Sequence, residues 1–318
     1  MELIRARTAK ELFKIISPNG KLLTKEPGTA IFRGQADASW PVIPSALRPG
    51  ALIPYSRVRQ VCPRFTNRDQ IELELQAIRD FGGVLDRAGR HVPHDDVVAV
   101  SAYPRQFLEE SNKLGRGELV WPPKAYHSLI ALAQHNGLPT RFVDFTYHPY
   151  VAAYFAAAGA LHRKDDGSGE LGIYIVLGWA RFAVSSYEFR EEPWEVFLPR
   201  ESKYCYQLIQ PPAFHNEYLR AQKACFLAYL QFKPRANELC EVRSLERYFE
   251  DRVQQEIAAG DLALGMPKLI KVTLGTRHAP SLLDMLSREG VDASTIFPSI
   301  SGCVRSMYER CEDDVPGE

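Results

Sequence analysis

The most constraining feature of the chain is the run RFVDFTYHPYVAAYFAA at residues 141–157. Its first five residues alternate aromatic, β-branched and polar side chains and predict a strand over 141–145. Tyr147-His148-Pro149 predicts a turn, with proline at an early helical position. The helix that follows, Pro149 to Leu161, is rich in alanine and almost wholly apolar on its face. Side chains this small predict a helix lying close against a sheet.

The rest of the sequence supplies partners for that unit. Thr8 to Ile16 reads as a helix, with Thr8 as cap and Glu11 at the capping-box spacing. Helices are also expected over Asn67–Phe81, stopped by Gly82-Gly83, over Pro123–Gln134, over Ser281–Glu289 and over Gly302–Cys311. Strands are expected at Ala30–Phe32, Gly172–Leu177, near Leu208-Ile209, at Cys225–Leu230 and at Leu269–Leu274. These elements do not follow a regular βαβ rhythm. The expectation is an α+β fold: a mixed, mostly antiparallel sheet with packed helices. One domain over 1–318 is expected, with a core at 28–275 and a C-terminal helical segment at 276–318.

Composition narrows the function classes. Apolar residues are 45% and charged residues 25% of 318, which argues for a packed domain and against disorder. Lys plus Arg and Asp plus Glu are 39 each, so no global charge draws the chain to nucleic acid or membrane. Arg48, Arg57, Arg59, Arg64 and Arg68 form a local basic stretch, either a solvated face or one wall of a polyanion groove. None of the six cysteines falls in a CxxC pair, which argues against zinc. His91, His94, Asp95 and Asp96 lie close together, but nothing else of fitting spacing supports a metal. The N-terminal residues are charged, and no apolar run reaches the ~18 residues of a membrane span. The expectation is a cytoplasmic protein with reduced thiols and no membrane partner.

Four stretches place polar residues where packing alone would not. In Phe32-Arg33-Gly34-Gln35 a guanidinium sits at a strand end beside a glycine. That pairing suits a phosphate or ribose, because Arg offers a rigid fork and Gly permits close approach; a structural ion pair is the plainer reading. In the segment 134–141, QHNGLPTR, His135 is either a base or a helix-end residue, and Thr140 and Arg141 open the next strand. Asp144-Phe145-Thr146 closes that strand, with Thr146 either capping the helix or meeting a ligand. Gln222, before the apolar CFLAYL strand, is either a donor to a sugar hydroxyl or an exposed strand entrance. No GxSxG, P-loop or GxGxxG motif occurs.

With these stretches in view, the chain resembles the FRG-domain family. IFRGQADASWPVIPSALRP is similar to the motif from which that family is named, and QHNGLPTRFVDFTYHPYVAAYFAA to its second block. RAQKACFLAYL resembles a third block, with Ala224 where glycine often stands, and GVDASTIFPSISG a closing stretch. The motif order also resembles ADP-ribosyltransferases of the Arg–Ser–Glu type. That resemblance implies NAD as substrate and a macromolecular acceptor, RNA or protein. It implies Arg33, Asp144, Thr146 and Gln222 as catalytic residues. Phe32, Gly34, Gln35, His135, Thr140, Arg141, Phe145, Tyr150 and Tyr154 would join Arg33 and Thr146 around NAD, with Tyr150 or Tyr154 stacked on the nicotinamide. A toxin or anti-phage effector held by a neutralising partner is the implied setting. Gln222 stands where such enzymes carry an acid. Either transfer is slow, or an acid arrives from elsewhere, or the pocket binds a nucleotide-like ligand without turnover; hydrolysis of NAD is a third activity of the same pocket.

Overall fold

The structure is a computed structural model, and it describes residues 1–24, 30–54, 65–93, 112–113, 116, 118, 120–163, 167–178, 204–213, 216–232, 237–259 and 268–311. The elements run in chain order as follows: β1 (Glu2–Ala6), α1 (Ala9–Ile16), α2 (Lys21–Thr24), β2 (Ile31–Gln35), α3 (Asn67–Arg87), β3 (Val120–Trp121), α4 (His127–His135), β4 (Phe142–Thr146), α5 (Pro149–His162), β5 (Glu170–Leu177), β6 (Tyr204–Ile209), α6 (Glu217–Ala221), β7 (Ala224–Phe232), α7 (Leu245–Ala259), β8 (Lys268–Gly275), α8 (Ala279–Arg288), α9 (Ala293–Ile296) and α10 (Ile300–Cys311).

The eight strands among the described residues join one sheet, in the order β1-β8-β5-β2-β4-β7-β3, with β6 also paired to β7. Strand β7 pairs with β6 over Phe226–Gln231 and with β4 over Ala224–Ala228. Those overlapping registers put β4 and β6 on opposite edges of β7. Among the described residues only β1 with β8 is parallel; β2 with β5, β5 with β8, and β4 and β6 with β7 are antiparallel. The mixed, mostly antiparallel α+β architecture expected from the sequence is therefore present. The strand β1 was not foreseen, since five residues with exposed Glu2 and Leu3 carry little apolar signal.

The sheet separates two cores. One, on the α1, α5 and α8 side, gathers Leu12, Phe32, Tyr154, Ile173, Val272 and Leu282. The other, on the α3 and α4 side, gathers Ile31, Leu75, Trp121, Ile130, Phe142, Tyr174 and Phe226. Every residue of β5 after Glu170 is buried, because it lies at the centre of the sheet with both faces covered.

The alanine helix α5 does press against the sheet. A Cβ added at Gly34 would lie 1.9 Å from the Ala152 carbonyl oxygen and 2.7 Å from the Ala156 nitrogen. Helix α3 runs through Gly82 and Gly83 to Arg87, beyond the expected stop. The reason is packing: a Cβ at Gly82 would meet the Leu129 side chain of α4 at 3.3 Å, so the glycine serves helix–helix approach rather than termination. Among the described residues no helix is long and apolar enough to cross a membrane.

Candidate functional site

The central sheet parts between β2 and β4. Strand β2 pairs with β5 along all five of its residues, but with β4 only at Phe32 opposite Thr146. Beyond that point β2 and β4 form no further pairs, and Arg33 stands in the opening. Its Nη1 donates to the Asp144 backbone carbonyl at 2.8 Å and lies 3.8 Å from the Asp144 carboxylate. Its Nε reaches Gln35 Oε1 at 3.4 Å. The Arg33 side chain is 13% exposed and that of Asp144 50%. A half-exposed carboxylate on an interior strand, beside a nearly buried guanidinium, marks this opening as a polar cleft.

The walls come from four directions. From α4, Gln134 Nε2 donates to Asp144 Oδ2 at 3.1 Å, and Thr140 Oγ1 donates to Gln134 Oε1 at 2.7 Å. The loop after β2 is pinned by Thr140 N–H donating to Ser45 Oγ at 3.0 Å and by Gln35 Nε2 donating to the Trp40 carbonyl at 2.9 Å. From β5, the Tyr174 hydroxyl donates to the same Trp40 carbonyl at 3.2 Å. From α7, both Glu246 carboxylate oxygens accept from the Val42 N–H at 3.2 Å.

The electrostatics follow from this assembly. Burial pushes the Arg33 guanidinium below its ordinary value, the Asp144 carboxylate opposes that, and Arg48 adds like-charge repulsion. Glu246 acts on Arg33 in the same sense as Asp144. Burial first and Glu246 second push the Tyr174 phenol up, so it stays a donor. The cleft therefore offers the Arg33 guanidinium beside the Asp144 and Glu246 carboxylates, the Tyr174 hydroxyl being engaged by the Trp40 carbonyl. Such a set can hold an anionic group and, next to it, a centre that becomes positive.

The other residues singled out in sequence are placed as follows. Gln35 lines the cleft with Arg33. Gly34 is filled by α5, so the close approach it permits is that of a helix. Phe32 and Phe145 are buried, in the α5-side and α4-side cores respectively. The Thr146 hydroxyl donates to the Gln222 carbonyl at 2.7 Å and accepts from the His148 N–H at 3.0 Å, so it caps the turn into α5. Gln222 is buried, and its Nε2 reaches the Ile296 carbonyl at 3.5 Å. Arg141 is buried apart from the cleft: its Nε donates to Glu74 at 2.7 Å and its Nη1 to Gln231 at 3.0 Å. Tyr150 stacks on Phe13 at 4.4 Å, and the Tyr154 hydroxyl donates to Glu309 at 2.8 Å. Both tyrosines belong to the α5 side of the sheet.

His135 sits near Asp144 with its ring against Tyr218 and Phe226. Its Nε2 is buried and has no hydrogen-bond partner. Burial holds the imidazole below its ordinary value, and Asp144 opposes this weakly. A neutral ring is the outcome.

Sequence reasoning missed Tyr174 and Glu246. Neither carries a local motif: Tyr174 reads as one more residue of an apolar strand, and Glu246 as one charge on a polar helix. Among the described residues no three His, Cys, Asp or Glu side chains form a metal-binding group. His94, Asp95 and Asp96, and Arg57, Arg59 and Arg64 of the basic stretch, lie outside the described residues. Arg68 pairs with Glu72 at 2.8 Å on an exposed helix face, a surface pair of little energetic weight.

The fold and cleft define a mixed α/β protein whose central sheet opens around an Arg–carboxylate pair. Residues 28–165 match the model of the FRG domain. That span covers β2, α3, β4 and α5, and with them Arg33, Gln134 and Asp144; Tyr174, Gln222 and Glu246 lie outside it. No curated protein and no solved structure matches the chain.

Proposed function

We propose that the cleft between β2 and β4 binds NAD and that the protein transfers ADP-ribose to a macromolecule, RNA or protein. The observation that carries this reading is the placement of Arg33 against Asp144 where the sheet parts. Arg33 has Nη2 left for a phosphate oxygen, since its two bonds engage Nε and Nη1. Nicotinamide leaves as the ribose carbon becomes cationic, and the acceptor nucleophile attacks that carbon. Asp144, half in solvent, is the carboxylate available to stabilise the cation or to take the acceptor's proton. Glu246 supplies a second acid that Gln222 cannot. The motif order Arg33-Gly34, then Asp144-Phe145-Thr146 before an alanine helix, supports the same reading. A toxin or anti-phage effector restrained by a partner fits such an activity by family-level analogy.

A second reading has its own observation. The Thr146 hydroxyl and the Gln222 side chain are both engaged in internal bonds. A site with those two groups committed can recognise a nucleotide-like ligand without turning it over. Incubation with adenylate-labelled NAD and a cell lysate separates the readings. Label on RNA or protein, lost in Arg33→Ala and Asp144→Asn, supports transfer. Free nicotinamide without label points to hydrolysis. Binding without either points to a module. No binding at all sinks the NAD reading.

A further inference from the structure

Helix α3 carries a polar seam into the core. Gln70 and Glu74, one turn apart, are buried there with Arg141 and Trp121. The Glu74 carboxylate holds the seam together. Its Oε2 accepts from Arg141 Nε at 2.7 Å and from Trp121 Nε1, and its Oε1 accepts from Gln70 Nε2. Gln231 of β7 joins them, accepting from Arg141 Nη1 at 3.0 Å and donating to Asn67 Oδ1 at 2.7 Å.

Two atoms of the seam have no hydrogen-bond partner among the described residues: Arg141 Nη2 and Gln70 Oε1. Their residues are only 2% and 0% exposed, so bulk solvent does not reach them. Buried polar atoms are seldom left in that condition. Neither side chain can turn to escape it. Gln70 Nε2 also donates to the Ala46 carbonyl at 3.2 Å, so both neighbours of that amino group are acceptors. A flipped amide would set oxygen against oxygen. Arg141 is held at Nε and Nη1, which fixes the guanidinium plane and with it Nη2.

The two atoms select their ligand. Nη2 only donates and Gln70 Oε1 only accepts, so what joins them must accept from one and donate to the other. An anion would suit Nη2 but meet the amide oxygen and the Glu74 carboxylate. A cation would suit those oxygens but meet the guanidinium. Water is neutral, does both, and is small enough for a packed core. The two atoms are also neighbours of one carboxylate: Nη2 shares Cζ with the Nε bonded to Glu74, and Oε1 shares Cδ with the Nε2 bonded to it.

We propose that this seam is a binding site for one internal water. It accepts from Arg141 Nη2, donates to Gln70 Oε1, and gives its second proton to Glu74 Oε1, the three bonds typical of a buried water. The site is independent of the cleft at Arg33, and its test needs neither NAD nor an acceptor.

The test is a crystal structure of the full chain at a resolution that shows ordered water, with a second data set from crystals soaked in bromide. A single peak within hydrogen-bond distance of both Arg141 Nη2 and Gln70 Oε1, with no anomalous signal in bromide, is expected. In solution the water resonance should give NOE and ROE cross-peaks of opposite sign to non-exchanging protons of Gln70 or Arg141, the mark of a water held in place. Arg141 Nη2 bonded directly to Glu74 or to another protein group overturns the proposal. So does a site without density, bromide at the peak, or an assigned, folded chain that lacks those cross-peaks.

Discussion

Arg33 Nη1 and the Asp144 carbonyl oxygen meet at 2.8 Å across the one stretch of sheet where β2 and β4 no longer pair. The guanidinium thus substitutes for a missing rung of the ladder. The same side chain that closes the sheet faces the cleft, with Nη1 on the Asp144 carbonyl and Nε toward Gln35.

Arg33→Lys is the informative variant. Lysine keeps the charge but not the fork, and cannot serve the Asp144 carbonyl and a phosphate together. The expected result is at least tenfold weaker NAD binding by calorimetry with a fold that survives, since losing a hydrogen bond from a charged group costs about 1.5–3 kcal/mol. Unchanged affinity would remove Arg33 from the site.

Gly34→Ala should fail for a reason unrelated to ligand. The new methyl group would stand 1.9 Å from the Ala152 backbone oxygen, and backbone cannot rotate away. Destabilisation above about 3 kcal/mol, the top of the usual overpacking range, is expected in urea unfolding. A stable Gly34→Ala would mean that α5 can shift off β2.

Arg141 and Glu74 form an ion pair in the core, with side chains 1% and 5% exposed, and Trp121 Nε1 also donates to Glu74. Glu74→Gln leaves a buried guanidinium short of its counter-charge and should lower stability by about 3–5 kcal/mol. Ligand affinity of the folded fraction should not change, because Arg33 touches neither residue. A selective loss of affinity would place Arg141 in the binding site after all.

Tyr150→Phe and Tyr154→Phe separate the two faces of the sheet. Removing the Tyr154 hydroxyl leaves Glu309 with one donor fewer and should lower the melting temperature. Neither change should alter NAD binding. If Tyr150→Phe weakens it, the ligand reaches the α5 side.

His135 and His148 give the molecule an acid-sensitive stability. Burial holds both imidazoles below their ordinary value of 6.5. A depressed histidine stays neutral in the folded chain while the unfolded chain takes up a proton. Stability is therefore complete above about pH 6.5 and declines as pH falls from there toward the folded values. The urea midpoint should drop between pH 7 and pH 5, and the His135→Gln/His148→Gln double variant should show a shallower slope. Parallel slopes would show that other groups carry the effect.

Much of this was legible in the chain order. The strands expected at 141–145, 172–177, 225–230 and 269–274, each within two residues of an observed strand's bounds at either end, and the proline-started alanine helix follow from local periodicity, which depends on near neighbours alone. Arg33 and Asp144 stood out as charges read at strand ends, Arg33 with a structural ion pair as its plainer reading. Tertiary structure decided the rest. It set Arg33 and Asp144, 111 residues apart, in contact, and bound Glu246 to Val42 across 204 residues. It turned Gly34 from an expected ligand contact into the seat of a helix, and carried Gly82-Gly83 through a helix they were expected to end. It put Tyr150 and Tyr154 on the face away from Arg33. Each of these outcomes depends on which surface meets which across the sheet, and side-chain periodicity records that a residue is buried, not what it is buried against.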